Sequence, residues 1–295
     1  MNLNFDFFEE LKVFNSIKYL DSNHSYTINN KPAISGTQLI HKFETPFDNI
    51  AQANRLAVKK GVSAQSLLND WTLTNILAST KGSYVHNYLE LSFQKRVLEI
   101  NEEELYEEII KKLKNHEFYK TTLAQVKKDA LFLKNKIVEY YNEIIPSCDV
   151  FLKNSSEKLI PLASEFIVGD EDYLVCGTID QLYFNKTTQK IEIWDWKTNK
   201  SFSTINNFKQ TLKYPLNKID DTHLDKYSIQ LNLYKYILEK NTNLKIGSCW
   251  LVNFAETLNG KFVFYECKDY IEQVKLILKY HKNKEELDEK EKFDW

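Results

Sequence analysis

Hydrophobic spacing divides the chain into a helical first half and a mixed second half. From Glu99 to Ile145 the apolar residues return every three or four positions, at Leu105, Ile109, Ile110 and Leu113 and again at Leu133, Ile137 and Tyr141, which is the period of an amphipathic helix. Upstream, Ser25–Ile28 followed by Asn29-Asn30-Lys31 reads as a short strand and turn. Ser35-Gly36-Thr37-Gln38 has the spacing of a capping box and opens a helix through Leu39 and Ile40. Helical spacing then dominates to Pro146. Between Pro161 and Phe184 the residues become β-branched and aromatic, and Ile191-Glu192-Ile193-Trp194-Asp195-Trp196 continues that character. Helical spacing resumes over Tyr227–Glu239, strands fit Ser248–Phe254 and Lys261–Glu266, and a last helix fits Ile271–Tyr280. The pattern predicts an α/β fold: one central mixed sheet flanked by helices, with a large N-terminal helical part.

Composition adds a few exclusions. With 7 Gly and 5 Pro in 295 residues there is no flexible linker, so a single domain is expected. A formal charge of -2 means that any contact with a polyanion depends on a local patch. The four cysteines, Cys148, Cys176, Cys249 and Cys267, form no C-x-x-C pair, which argues against zinc and against an iron-sulfur cluster. No run approaches the roughly 18 apolar residues of a membrane span, and Met1 is followed by Asn2, Asn4, Asp6 and Glu9, so a cytoplasmic protein with no membrane partner is expected.

The candidate chemistry lies in one hairpin. Leu174–Phe184 and Ile191–Thr198 flank a polar turn, and if that turn is symmetric Phe184 faces Ile191, Leu182 faces Ile193 and Asp180 faces Asp195. Opposed residues share a face with Cβ atoms about 4.5–5.5 Å apart. Two carboxylates so placed among Ile, Leu and Phe repel strongly, and a hard divalent cation such as Mg²⁺ or Mn²⁺ would relieve that repulsion. Lys197, two residues past Asp195, falls on the same face and is suited to orient a water molecule and balance growing negative charge. Taken singly, each acid also fits a solvent-exposed strand position. Trp194 and Trp196 point to the opposite face, toward helices.

Gly82, His86 and Glu90 follow at four-residue steps along one helix face. Gly82 would permit close approach to the sheet, His86 offers a neutral nitrogen ligand, and Glu90 could hydrogen-bond a ligand or water. The plain alternatives are a core or surface histidine and the polar side of an amphipathic helix. Tyr84, Tyr88 and Phe93 fit either base stacking or hydrophobic core.

Together, Gly82-x-x-x-His86, Gly177-Thr178-Ile179-Asp180, Asp195-Trp196-Lys197 and Gln230-x-x-x-Tyr234 resemble the PD-(D/E)XK nuclease superfamily, within it the RecB-like branch that includes phage exonucleases and the mitochondrial genome maintenance exonuclease. His24-Ser25-Tyr26, Ser35–Gln38 and Lys60-Gly61 are similar to the opening of phage-encoded members. The resemblance implies a restriction-endonuclease-like core. It implies that His86, Asp180, Asp195 and the backbone carbonyl of Trp196 bind the metal, that Lys197 is the catalytic lysine, and that Gln230 and Tyr234 face the site and the DNA backbone. Glu165 matches an acidic position before the core hairpin in some members and is carried with Glu90 among the substrate-binding candidates. The closely spaced cysteines of cluster-bearing relatives are missing, so no iron-sulfur cluster is expected.

On this reading, 81–254 is the nuclease core with a helical insertion over 99–146, preceded by a strand and helix part over 1–80 and followed by a strand and charged helix over 255–295. The stretch Gln210–Lys226, with Lys213, Lys218 and Lys226 and with Lys209 just before it, is either a DNA-contacting insertion or a solvated loop. The implied activity is metal-dependent hydrolysis of DNA at duplex ends or in single strands, alongside replication or recombination proteins. An endonuclease on the same core, or a DNA-binding subunit of a helicase-nuclease or replication assembly, are the alternatives.

Overall fold

The computed structural model describes residues 3–20, 25–206, 209–255, 258 and 260–293, so His24 of the opening motif lies outside the described residues. Among the described residues eight strands form one mixed sheet. Its centre is an antiparallel meander of β4 (Leu159–Asp170), β5 (Val175–Asn185) and β6 (Lys190–Lys197). β7 (Ile246–Asn253) joins β6 in parallel, and β8 (Val263–Glu266) is antiparallel to β7. Near the N-terminus, β1 (Ile17–Leu20), β2 (Ser25–Ile28) and β3 (Lys31–Ser35) form an antiparallel set that joins β5 through the parallel pairs Ile34↔Val175 and Ser35↔Cys176.

That last pairing forks the sheet. β4 runs along one edge of β5 over its whole length, so β3 and β6 must share the other edge. β3 occupies it at Val175 and Cys176, and β6 from Gln181 onward. Gly177 to Asp180 of β5 lie in the notch between them.

Both faces of the sheet are covered, which is why β5 and β6 read as nearly continuous apolar runs. On one face, α2 (Gly36–His41), α7 (His223–Asn241) and α8 (Ile271–Phe293) bury Leu39, Leu231, Ile237 and Ile277 against Leu182, Phe184, Ile193 and Leu251. On the other, α4 (Ala64–Phe93) and α6 (Leu123–Ser156) bury Val85, Leu89, Ile144 and Phe151 against Tyr183, Trp194 and Trp196. Each such large side chain contributes about 1.5–3 kcal/mol on leaving water. α5 (Glu102–Asn115) packs on α4 and α6 beyond the sheet, where Leu105, Ile109 and Leu113 meet Ile76, Leu133 and Ile137. The remaining helices, α1 (Leu3–Leu11) and α3 (Asn49–Lys60), are N-terminal.

The capping box opens α2 as its spacing predicts: Ser35 Oγ accepts from the Gln38 N–H at 3.0 Å and Gln38 Oε1 accepts from the Ser35 N–H at 2.9 Å. One expectation fails, and one of two alternatives is removed. The helical segment does not end at Pro146, because α6 runs through it to Ser156. A proline inside a helix forfeits a hydrogen bond and costs about 3 kcal/mol, but just beyond it Cys148 and Phe151 are buried, with Phe151 edge-on to Trp196 at 5.3 Å. Nor is 210–226 a solvated loop: Leu212, Leu216 and Ile219 are buried in the main core, and Lys213 donates its backbone N–H to Phe43 O at 2.7 Å. Lys213 and Lys218 remain exposed, whereas Lys226 is paired with Asp221.

Candidate active site

The β5–β6 turn is symmetric. The ladder pairs Phe184↔Ile191, Leu182↔Ile193 and Gln181↔Trp194, so Asp180 and Asp195 take the next opposed places. On the far side of β5, Ser164↔Gln181 and Phe166↔Ile179 leave Glu165 across from Asp180. Three acids, Glu165, Asp180 and Asp195, thus stand in a row across neighbouring strands at the fork of the sheet. Glu165 occupies its place with φ 46°, a left-handed conformation that costs a non-glycine residue about 1–3 kcal/mol and is sustained by the pairing on either side.

Asp180 and Asp195 are 8% and 3% exposed, so their charges sit in a low dielectric. The Trp196 backbone N–H donates to Asp180 Oδ2 at 2.7 Å. Burial, with Glu165 nearby, nevertheless raises the Asp180 pKa, against the pull of His86 and Lys197. Burial and then the Asp180 charge push Asp195 up to about 6, although Lys197 is ion-paired to its Oδ2. The Lys197 ammonium is opposed by burial, but Asp195 and Asp180 outweigh that and hold it above an ordinary lysine.

His86 reaches the fork from α4. Its Nε2 lies 3.0 Å from Trp196 O, which can only accept, so Nε2 carries the hydrogen. Nδ1 then faces the acids, 3.5 Å from Asp180 Oδ2 and 3.6 Å from Glu165 Oε1. Burial would lower the imidazole pKa, but Asp180 and Glu165 drive it up to about 9, and to ligate an ion through Nδ1 the ring must give up its proton there. One donor atom from each of His86, Glu165 and Asp180 lies within 4.8 Å of the others, a spread that a single ion can span. The donor set, two carboxylates and one imidazole beside a third buried acid, suits a hard divalent cation.

The expected residues separate into those that meet and those that do not. His86, Asp180, Asp195 and Lys197 converge at the fork. Glu165, expected among the substrate contacts, stands instead with the candidate ligands. The Trp196 carbonyl accepts from His86, so in this state it orients the imidazole. Glu90, one turn past His86, accepts from Gln94 Nε2 at 3.1 Å. Gln230 Nε2 donates to the Tyr234 hydroxyl at 3.0 Å, and Gln230 lines a cavity of about 200 Å³ with His41, Lys226 and Tyr227. Tyr234 is 3% exposed, with its ring packed over Gly177. At Gly82 a Cβ would meet Thr198 Oγ1 at an ordinary 3.5 Å, so close approach is not what requires glycine there. Tyr84 and Tyr88 stand edge-on to Tyr141 and Phe93 edge-on to Tyr183, which places all three in aromatic packing.

One neighbour of the site carries no signal in the sequence. Tyr227 of α7 presents its ring to Lys197 Nζ, 4.4 Å from the centroid. A second cavity, about 350 Å³, opens beside the end of β6 and is lined by Thr198, Asn199, Lys200, Lys81 and Tyr140. No curated protein matches the chain at a significant level. Opposed acids on a hairpin, a lysine two residues beyond the second, and an imidazole delivered by a preceding helix all fall inside residues 65–293, the span that matches the family model of the PD-(D/E)XK nuclease superfamily, and the chain belongs to that superfamily.

Proposed function

We propose that this chain is a Mg²⁺- or Mn²⁺-dependent deoxyribonuclease of the RecB-like branch that hydrolyses phosphodiester bonds at DNA ends or in single strands. The observation that carries the reading is the row Glu165–Asp180–Asp195, with His86 Nδ1 turned toward two of its members. With His86 neutral, as a ligand must be, Lys197 is the one cation among the described residues set against the three acids, and a divalent ion would balance the rest.

His86, Glu165 and Asp180 would hold the metal, with Asp195 at its flank. A divalent ion so held supplies Lewis acidity and lowers the pKa of a water molecule. The protein's own contribution is positional. Trp196 fixes both partners of the site at once, its N–H donating to Asp180 and its carbonyl accepting from His86. Lys197, anchored on Asp195, places an ammonium where it can orient an attacking water and balance charge growing on the phosphate. One cavity is lined by Thr198, the residue after Lys197, and the other by Tyr227, whose ring meets the lysine.

The test is a time course in Mg²⁺ on end-labelled linear, closed circular, single- and double-stranded DNA. Loss of label from linear DNA with circles intact is the expected result, and Asp195→Ala or Lys197→Ala should slow it by about 10²-fold or more. Cutting of circles would make the chain an endonuclease. Tight DNA binding with no cleavage in either metal would favour a binding subunit and overturn the enzymatic reading, as would alanine variants as fast as wild type.

A further inference from the structure

The Lys197 ammonium is held by two neighbours of different kinds. Asp195 takes it by an ion pair from its own strand, and Tyr227 takes it on the face of a ring from α7, at 4.4 Å. A carboxylate engages the N–H groups of an ammonium, of which there are only three. A ring face attracts the charge through its quadrupole and engages none in a conventional hydrogen bond. An ammonium pinned between one carboxylate and one ring therefore keeps N–H donors for a water or a phosphate oxygen.

The ring is itself braced. Its hydroxyl donates to Asn199 Oδ1 at 3.4 Å, and the Asn199 carbonyl accepts from Asn253 Nδ2 at 3.0 Å. Phe202 packs on it at 6.0 Å and stacks in turn on Tyr265 at 4.3 Å. The chain leaving β6 is thus tied to α7 through the same side chain that meets the lysine.

We propose that Tyr227 is a positioning residue for the reaction, its ring holding the Lys197 ammonium in its working direction while leaving N–H donors for the substrate; this rests on Lys197 being the catalytic lysine of the nuclease reading. Aromatic character is what matters, so Tyr227→Phe keeps the function and Tyr227→Leu loses it.

Two measurements test this. In protein labelled with ¹³C-lysine, the Lys197 Hε resonances should lie upfield of the ordinary lysine position in wild type and Tyr227→Phe, through the ring current, and return to it in Tyr227→Leu. In Mg²⁺-dependent cleavage, Tyr227→Leu should lose about tenfold in kcat with KM within about twofold, and Tyr227→Phe should stay within about threefold of wild type. An ordinary Lys197 Hε position in wild type overturns the proposal whether or not the leucine variant folds. So does a leucine variant with wild-type kcat, or a phenylalanine variant as slow as the leucine one, which would assign the effect to the Asn199 bond. If wild type cleaves nothing, the nuclease reading fails, and the resonance comparison still decides whether the ring holds Lys197.

Discussion

Tyr234 packs over Gly177 so closely that a Cβ placed on the glycine would stand 2.2 Å from Tyr234 Cε1. The ring also fills the space above Gly36, where a Cβ would lie 3.1 Å from the same atom. The notch in the sheet is therefore shaped to an aromatic side chain. Gly177→Ala should destabilise by about 1–3 kcal/mol, the usual range for overpacking a core. Tyr234→Leu should recover part of that loss in the double variant, with a coupling of about 0.5–3 kcal/mol. Denaturant melts of the two singles and the double measure it, and simple additivity would mean that the contact is not the cause.

Glu165 supplies a sharper test because its backbone is left-handed, with φ 46°. In an ordinary strand alanine is preferred to glycine. Here Glu165→Gly should be more stable than Glu165→Ala by about 1 kcal/mol, since both lack the carboxylate and only the glycine adopts this φ without strain. Metal-free thermal melts compare them. Mn²⁺ should raise the Tm of the wild type by binding the folded state, and both variants should lose that rise.

Much of the site's frame is legible in the order of residues alone. The symmetric turn between Phe184 and Ile191 carries Asp180 opposite Asp195, and a period of two carries Lys197 to their side, because strand geometry leaves little freedom. The features that are not legible depend on contacts distant in sequence. Nothing around Glu165 marks it as left-handed, and nothing around Tyr227 points to Lys197, since α7 meets β6 only in the folded protein. Pro146 misleads because the burial of Phe151 against β6 outweighs a local helix-breaking signal. The sequence leaves the stretch 210–226 open between a DNA-contacting insertion and a solvated loop because Leu212, Leu216 and Ile219 are interleaved with lysines and no regular period connects them.

The packing of that stretch predicts a contrast. Leu216→Ala should cost about 2–5 kcal/mol, as for other large-to-small core changes, because Leu216 is 1% exposed. Lys213→Ala and Lys218→Ala should each change stability by less than about 0.5 kcal/mol. Urea midpoints compare the three. A Leu216 variant as stable as the lysine ones would return the stretch to the status of a surface loop.

His281 of α8 gives the fold a pH dependence away from the site. Burial, and then the Lys42 ammonium 3.3 Å from Nδ1, depress its pKa to about 4. Above the ordinary histidine value the ring is neutral folded or unfolded. As pH falls from about 6.5 toward 4 only the unfolded chain takes the proton, so stability drains across that window and the loss is complete below it. Tm should therefore fall less steeply between pH 6.5 and 4 in His281→Leu than in wild type; parallel curves would exclude the residue as a source.

α4 and α6 each bridge two hydrophobic clusters: Ile76 and Leu133 pack with α5, while Val85 and Phe151 pack on the sheet. With 30 and 34 residues they are about 45 and 51 Å long, a pair of struts running from the distal helices to the strands. One of those struts holds His86. The placement of the imidazole thus rests on packing at both ends of α4, against α5 and against the sheet.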